Sequence, residues 1–85
     1  MIVLPKIETE QKISFIPLNL KAKTIIITNE QTKVEQIFTP KFFKNDYYLS
    51  CFLIIELIEN QFYNFEVKDA NNNTLYIDKL LCRTT

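Results

Sequence analysis

The residues best equipped for chemistry lie in one short stretch. Lys41, Phe42, Phe43, Lys44, Tyr47 and Tyr48 interleave aromatic rings with ammonium groups, a combination that stacks the bases of single-stranded nucleic acid while neutralising its backbone. Asp46 sits among them, and ten lysines and arginines are balanced by ten aspartates and glutamates. The cationic excess that a phosphate backbone demands is therefore missing. The aromatics read first as the plug at one end of a small core and as a contact surface for a protein partner; nucleic acid is disfavoured. Asp69 and Asp78 suggest a cation site, but Asn71-Asn72-Asn73 lies between them and the ligand periodicity of a calcium loop is missing. Turn chemistry accounts for them. Cys51 and Cys82, the only two cysteines, are expected as free buried thiols, not as a disulfide or a redox pair.

Other catalytic chemistry has no residues to carry it. Among the 85 residues there is no histidine, no glycine and no tryptophan. An imidazole base for a serine or cysteine nucleophile, a histidine-rich zinc site and a glycine phosphate loop are thus all excluded. The reading is of a non-enzyme with no cofactor, no metal and no catalytic residue. Met1 to Lys6 lacks the basic lead-in and long apolar run of a signal peptide. The longest apolar-rich segment, Tyr47 to Ile58, contains Ser50 and Glu56 and falls short of the roughly 20 residues that cross a bilayer. No membrane partner is expected.

The elements that must position these residues are short and β-prone. Pro5, Pro17 and Pro40 punctuate the chain, because proline cannot donate to a ladder. Lys12–Ile16 places Ile13 and Phe15 on one face ahead of Pro17. Lys23–Thr28 is dense in β-branched residues, and the polar break Asn29–Thr32 precedes Lys33–Thr39, which together predict a hairpin. Lys41–Asn45 is read as a linker whose two aromatics close the core. Within Tyr47–Ile58, Leu49, Cys51, Leu53, Ile55 and Leu57 alternate without a break; this favours a strand over a helix, although Leu49, Phe52, Leu53 and Leu57 also approximate helical spacing. Phe62–Asp69 alternates cleanly and the asparagine run leads into Thr74–Cys82, a second hairpin. Asn29, Asn45 and Asn71–Asn73 stand where left-handed turn positions are wanted in a chain without glycine.

One domain over residues 1–85 follows, with residues 1–10 set apart as an extended N-terminal arm. The fold class is all-β: an immunoglobulin-like antiparallel β-sandwich of six to seven strands. Tyr63, two residues before Phe65, occupies the place of a corner tyrosine whose hydroxyl bonds the backbone upstream, a structural role. Hydrophobic residues make up 47% of so short a chain, and Phe52 and Ile54 oppose Leu53 and Ile55 on the central run. One sheet face is thereby left apolar and in need of a partner. The candidate partner-binding residues are Phe42, Phe43, Tyr47, Tyr48, Phe52 and Ile54.

At Gln11–Pro17, Ile25–Glu30, Tyr47–Leu49, Glu59–Val67 and Leu75–Lys79 the chain resembles the small immunoglobulin-like virion proteins of tailed phages infecting Bacteroidetes, including crAss-like phages. The resemblance implies a capsid auxiliary, decoration or head-tail component, assembled in the host cytoplasm into the virion and bound to other virion proteins or to itself. The absence of glycine departs from the usual turns of such domains. The alternative carried alongside is a small OB-like module for single-stranded nucleic acid, or a phage regulator.

Overall fold

Alternation governs the architecture. In the computed structural model, which describes residues 1–84, the alternating runs of β2, β6 and β7 turn their apolar sets inward. Eight strands form: β1 Ile2–Leu4, β2 Gln11–Phe15, β3 Ala22–Asn29, β4 Glu35–Phe38, β5 Phe43–Asn45, β6 Tyr48–Leu53, β7 Phe62–Asp69 and β8 Thr74–Cys82. They make a five-stranded sheet in the order β1-β8-β7-β3-β4 and a three-stranded sheet in the order β2-β6-β5. Among the described residues there is no helix, so the helical reading of Tyr47–Ile58 falls away.

The expected count of six to seven strands is corrected to eight. Both additions are three-residue strands, too short to display a period in sequence. One of them, β1, lies within the expected arm of residues 1–10: Ile2, Val3 and Leu4 pair in parallel with Leu80, Leu81 and Cys82, and Leu4 is buried. The other, β5, turns the supposed linker into an edge strand paired with β6. All remaining pairs are antiparallel, including the β3–β4 and β7–β8 hairpins.

The two sheets share one core. Ile13 and Phe15 from β2 and Leu49, Cys51 and Leu53 from β6 meet Ile25 and Ile27 from β3, Tyr63, Phe65 and Val67 from β7, and Leu80 and Cys82 from β8. Phe15 bridges the layers, its ring centroid 5.9 Å from Phe65 and 5.3 Å from Tyr76, within the range where aromatic pairs add to simple burial. The ladder of β6 stops at Leu53, yet Ile55 and Leu57 stay buried. The chain continues its alternation after leaving the sheet, and the side-chain amide of Gln36 holds it there. Gln36 Nε2 donates to the carbonyl of Glu56 at 2.7 Å, and Gln36 Oε1 accepts the Glu56 N–H at 3.0 Å.

Turns are made without glycine, and asparagine supplies the left-handed position at Asn72, as expected, but not at Asn29 or Asn45. The positive-φ residues are Lys33, Asp46, Asn60 and Asn72. Asn29 instead stays in β3 and works through its buried side chain: Oδ1 accepts the N–H groups of Gln31 and Thr32, and Nδ2 donates to Gln61 Oε1 at 2.6 Å. Asn45 likewise remains in β5 and passes the left-handed conformation to Asp46. A side chain that completes the turn by hydrogen bonding leaves the backbone distortion to a neighbour.

Candidate partner-binding surface

The three-stranded sheet has one face in the core and one facing outward, and the outward positions are fixed by register. Lys12 lies opposite Phe52, Ser14 opposite Ser50, Ser50 opposite Phe43, and Asn45 opposite Tyr48. The row runs across all three strands. Phe43 and Phe52 touch edge to face, with centroids 6.3 Å apart and planes at 73°, and the ammonium of Lys41 lies 5.9 Å from the Phe43 centroid, close enough for cation–π attraction. Beneath the rings the hydroxyls of Ser14 and Ser50 are 2.8 Å apart. They satisfy each other, so the hydroxyls of the face are paired.

Phe43, Tyr48 and Phe52 are each close to half exposed, at 47%, 47% and 48%. Ile54 stands just beyond the end of β6 and is 59% exposed. An open depression of about 200 Å³ is lined by Lys12, Phe43, Asn45, Ser50 and Phe52. A second, of about 320 Å³, runs past Phe52 and Ile54 to Glu10, Phe38 and Pro40. Phe52 therefore joins two hollows, giving the surface relief into which partner side chains can seat.

The structure divides the six residues singled out in the sequence. Phe43, Tyr48, Phe52 and Ile54 are brought onto or beside the outer face. Tyr47, 80% exposed, sits in the β5–β6 turn at the end of the sheet. Phe42 is the correction. It turns inward and packs against Phe15 at 6.1 Å, because Phe43 points out of β5 and successive side chains on an extended chain face opposite ways. Phe42 thus packs against the core while its neighbour Phe43 stands outside it.

Tyr63 ties its hydroxyl to the backbone upstream. It is buried at the start of β7, and its hydroxyl oxygen accepts the Ile58 N–H at 2.8 Å. Asp69 and Asp78 are satisfied separately. Asp69 Oδ1 accepts the N–H groups of Asn71 and Asn73, both at 2.9 Å, and the Asn73 amide foremost lowers its carboxyl below the ordinary aspartate range. Asp78 accepts from the Tyr76 hydroxyl at 3.0 Å. Cys51 and Cys82 are free and buried, and burial pushes the Cys51 thiol up to about 11, which keeps it protonated and unreactive at neutral pH.

A second apolar surface escaped the sequence reading. On the outer face of the five-stranded sheet, Ile37 pairs with Ile26, Ile26 with Glu66 and Glu66 with Ile77. Ile37 and Ile77 are about two-thirds exposed. Charges break this surface up: Glu66 interrupts the row and accepts from the Thr74 hydroxyl, and Lys79 lies 3.4 Å from Glu30. The outward parity of these positions was available in sequence; their adjacency needed the pairing. The smaller sheet presents the less interrupted apolar face. Comparison with known proteins adds no relative, for no protein-family model, no curated protein and no solved structure matches the chain.

Proposed function

We propose that this chain is a non-enzymatic structural protein of a virion, immunoglobulin-like in type, that docks on other virion proteins through the outer face of β2, β6 and β5. The observation that carries the docking is the exposed cluster of Phe43, Tyr48 and Phe52 outside a core that is already filled. Covering a half-exposed phenylalanine returns about 1 kcal/mol, so three such rings with Ile54 supply a useful centre for an interface. Aromatic residues at the middle of a contact typically dominate its energy.

The immunoglobulin-like type is supported by two features. A five-stranded sheet faces a three-stranded one in the order β1-β8-β7-β3-β4 against β2-β6-β5, and the tyrosine at the start of β7 ties its hydroxyl to the backbone five residues upstream, as corner tyrosines of such sandwiches do. The virion assignment rests on the resemblance of Gln11–Pro17, Glu59–Val67 and the other segments to small phage proteins. The OB-like alternative is less well supported. The strands form two open sheets instead of a closed barrel, and the edge-to-face pair offers no two parallel faces for consecutive bases.

Mass spectrometry and cryo-electron microscopy of purified phage particles encoding this chain test the proposal. The chain should be found at stoichiometric copy number, with β2, β6 and β5 against a neighbouring virion protein. A Phe43→Ser, Phe52→Ser double variant should fold but be lost from the particles. Absence of the wild-type chain from particles overturns the reading.

A further inference from the structure

The strands that build the docking face are charged with one sign only, while Glu10 lines the hollow beside Phe52 and Asp46 lies in the β5–β6 turn. The strands of the smaller sheet contain Lys12 and Lys44 and no aspartate or glutamate, and Lys41 lies two residues before β5. The larger sheet is mixed, with Glu35, Glu66, Asp69 and Asp78 among its strands beside Lys23, Lys68 and Lys79. A chain of zero net charge has thus kept acid out of one sheet. The cations on that sheet are also unclaimed: among the described residues, the ion pairs are Met1 with Asp78 and Lys79 with Glu30, and neither involves Lys12, Lys41 or Lys44.

Position gives Lys12 and Lys41 a purpose. Lys12 is the direct cross-strand neighbour of Phe52, and Lys41 lies over the ring of Phe43, so two ammonium groups border the apolar pair. Lys44, of opposite parity on the edge strand β5, takes no part in this face. We infer that the occupant of this face is an acidic segment of a partner protein, with an apolar side chain seated on Phe43 and Phe52 and carboxylates meeting Lys12 and Lys41. This inference rests on the docking reading above and deepens it by naming the partner's chemistry.

Two other occupants fit less well. A second copy applied face to face would bring Lys12 and Lys41 of both copies into one interface, and like charges across an interface select against that pairing. A single-stranded nucleic acid would supply negative charge, but the Phe43 face it would stack on is already taken by Lys41, and Phe52 stands at 73° to that ring. Carboxylates on an extended or loop segment need no parallel rings.

The test is a titration of the isotopically labelled full chain, followed by amide chemical shifts, with three probes: a hexapeptide alternating glutamate with leucine, its lysine-for-glutamate counterpart, and a dT12 oligonucleotide. The acidic peptide should shift the amides of Lys12, Phe43, Ser50 and Phe52. Its affinity should fall at least fivefold between 50 and 300 mM salt, and about tenfold in a Lys12→Glu, Lys41→Glu variant, while the basic peptide shifts nothing on this face. The inference is overturned if the two peptides bind alike, if the acidic one shifts only other residues or none, or if dT12 binds this face more tightly than the acidic peptide. Dimerisation through this face at the working concentration overturns it as well. Retention of the Lys12→Glu, Lys41→Glu variant in particles that lose the Phe43→Ser, Phe52→Ser variant would leave the docking reading standing and remove the acidic partner alone.

Discussion

The hydroxyl oxygen of Tyr63 accepts the backbone N–H of Ile58 at 2.8 Å, across the bend that carries the chain from the smaller sheet into β7. Phenylalanine at position 63 would fill the same volume and leave that N–H without its partner. Tyr63→Phe should therefore cost about 1–2 kcal/mol, read as a lowered urea midpoint with an unchanged slope. An unaltered midpoint would mean that water serves the Ile58 amide equally well.

Gln36 makes a similar tie with a side chain alone. Its amide both donates to and accepts from the backbone of Glu56, and the segment it holds has already left the β6 ladder. Gln36→Ala should cost about 1 kcal/mol and, more specifically, should speed amide hydrogen exchange at Glu56 by roughly tenfold while leaving Ile27 and Phe65 protected. Uniform acceleration across the chain would assign Gln36 a global role instead.

Lys33 is held at φ 63° in the β3–β4 turn with its side chain exposed. The left-handed conformation costs an ordinary residue about 1–2 kcal/mol, and glycine, despite its freer unfolded chain, avoids most of that. Lys33→Gly should stabilise the fold by about 0.5–1 kcal/mol, a rise of several degrees in thermal midpoint for a domain of this size. A fall in the midpoint would show that the lysine side chain contributes more than its backbone strain removes.

Burial raises the Cys51 thiol from its ordinary value of 9.0 to about 11. Above pH 9 the unfolded chain loses this proton while the folded chain retains it, so the unfolded state binds fewer protons and stability declines as pH rises toward about 11. Urea midpoints measured from pH 8 to pH 11 should fall with a steeper slope in the wild type than in Cys51→Ala, which lacks the titrating group. Equal slopes would place the alkaline sensitivity elsewhere.

Much of this structure was legible because alternation is a strong signal when one face is buried. Phe62–Asp69 and Thr74–Cys82 appear with the bounds read from sequence, and Leu49 through Leu57 face inward in an unbroken series. Short strands were not legible. Ile2–Leu4 and Phe43–Asn45 owe their conformation to partners far along the chain or across a turn, and three residues carry no period. The same shortness hid the parity of Phe42 and Phe43, so adjacent aromatics of like composition were grouped although one packs in the core and the other stands outside it. The left-handed position of the Asn71–Asn73 turn is legible and falls on Asn72, whereas those of the turns after Asn29 and Asn45 fall on Lys33 and Asp46 for a different reason. Asparagine was credited with its backbone tolerance at Asn29, where the side chain's hydrogen bonds determine the turn.

The parallel pairing of Ile2–Leu4 with Leu80–Cys82 also sets an order of events. When this chain is synthesised, the β1 segment leaves the ribosome nearly a whole domain ahead of the strand it must join, and contacts of such wide sequence separation are slow to close. Until then Leu4 lacks the strand it pairs with, and the nascent chain carries an unspent apolar hook. The sheet is completed only when translation has delivered its last strand.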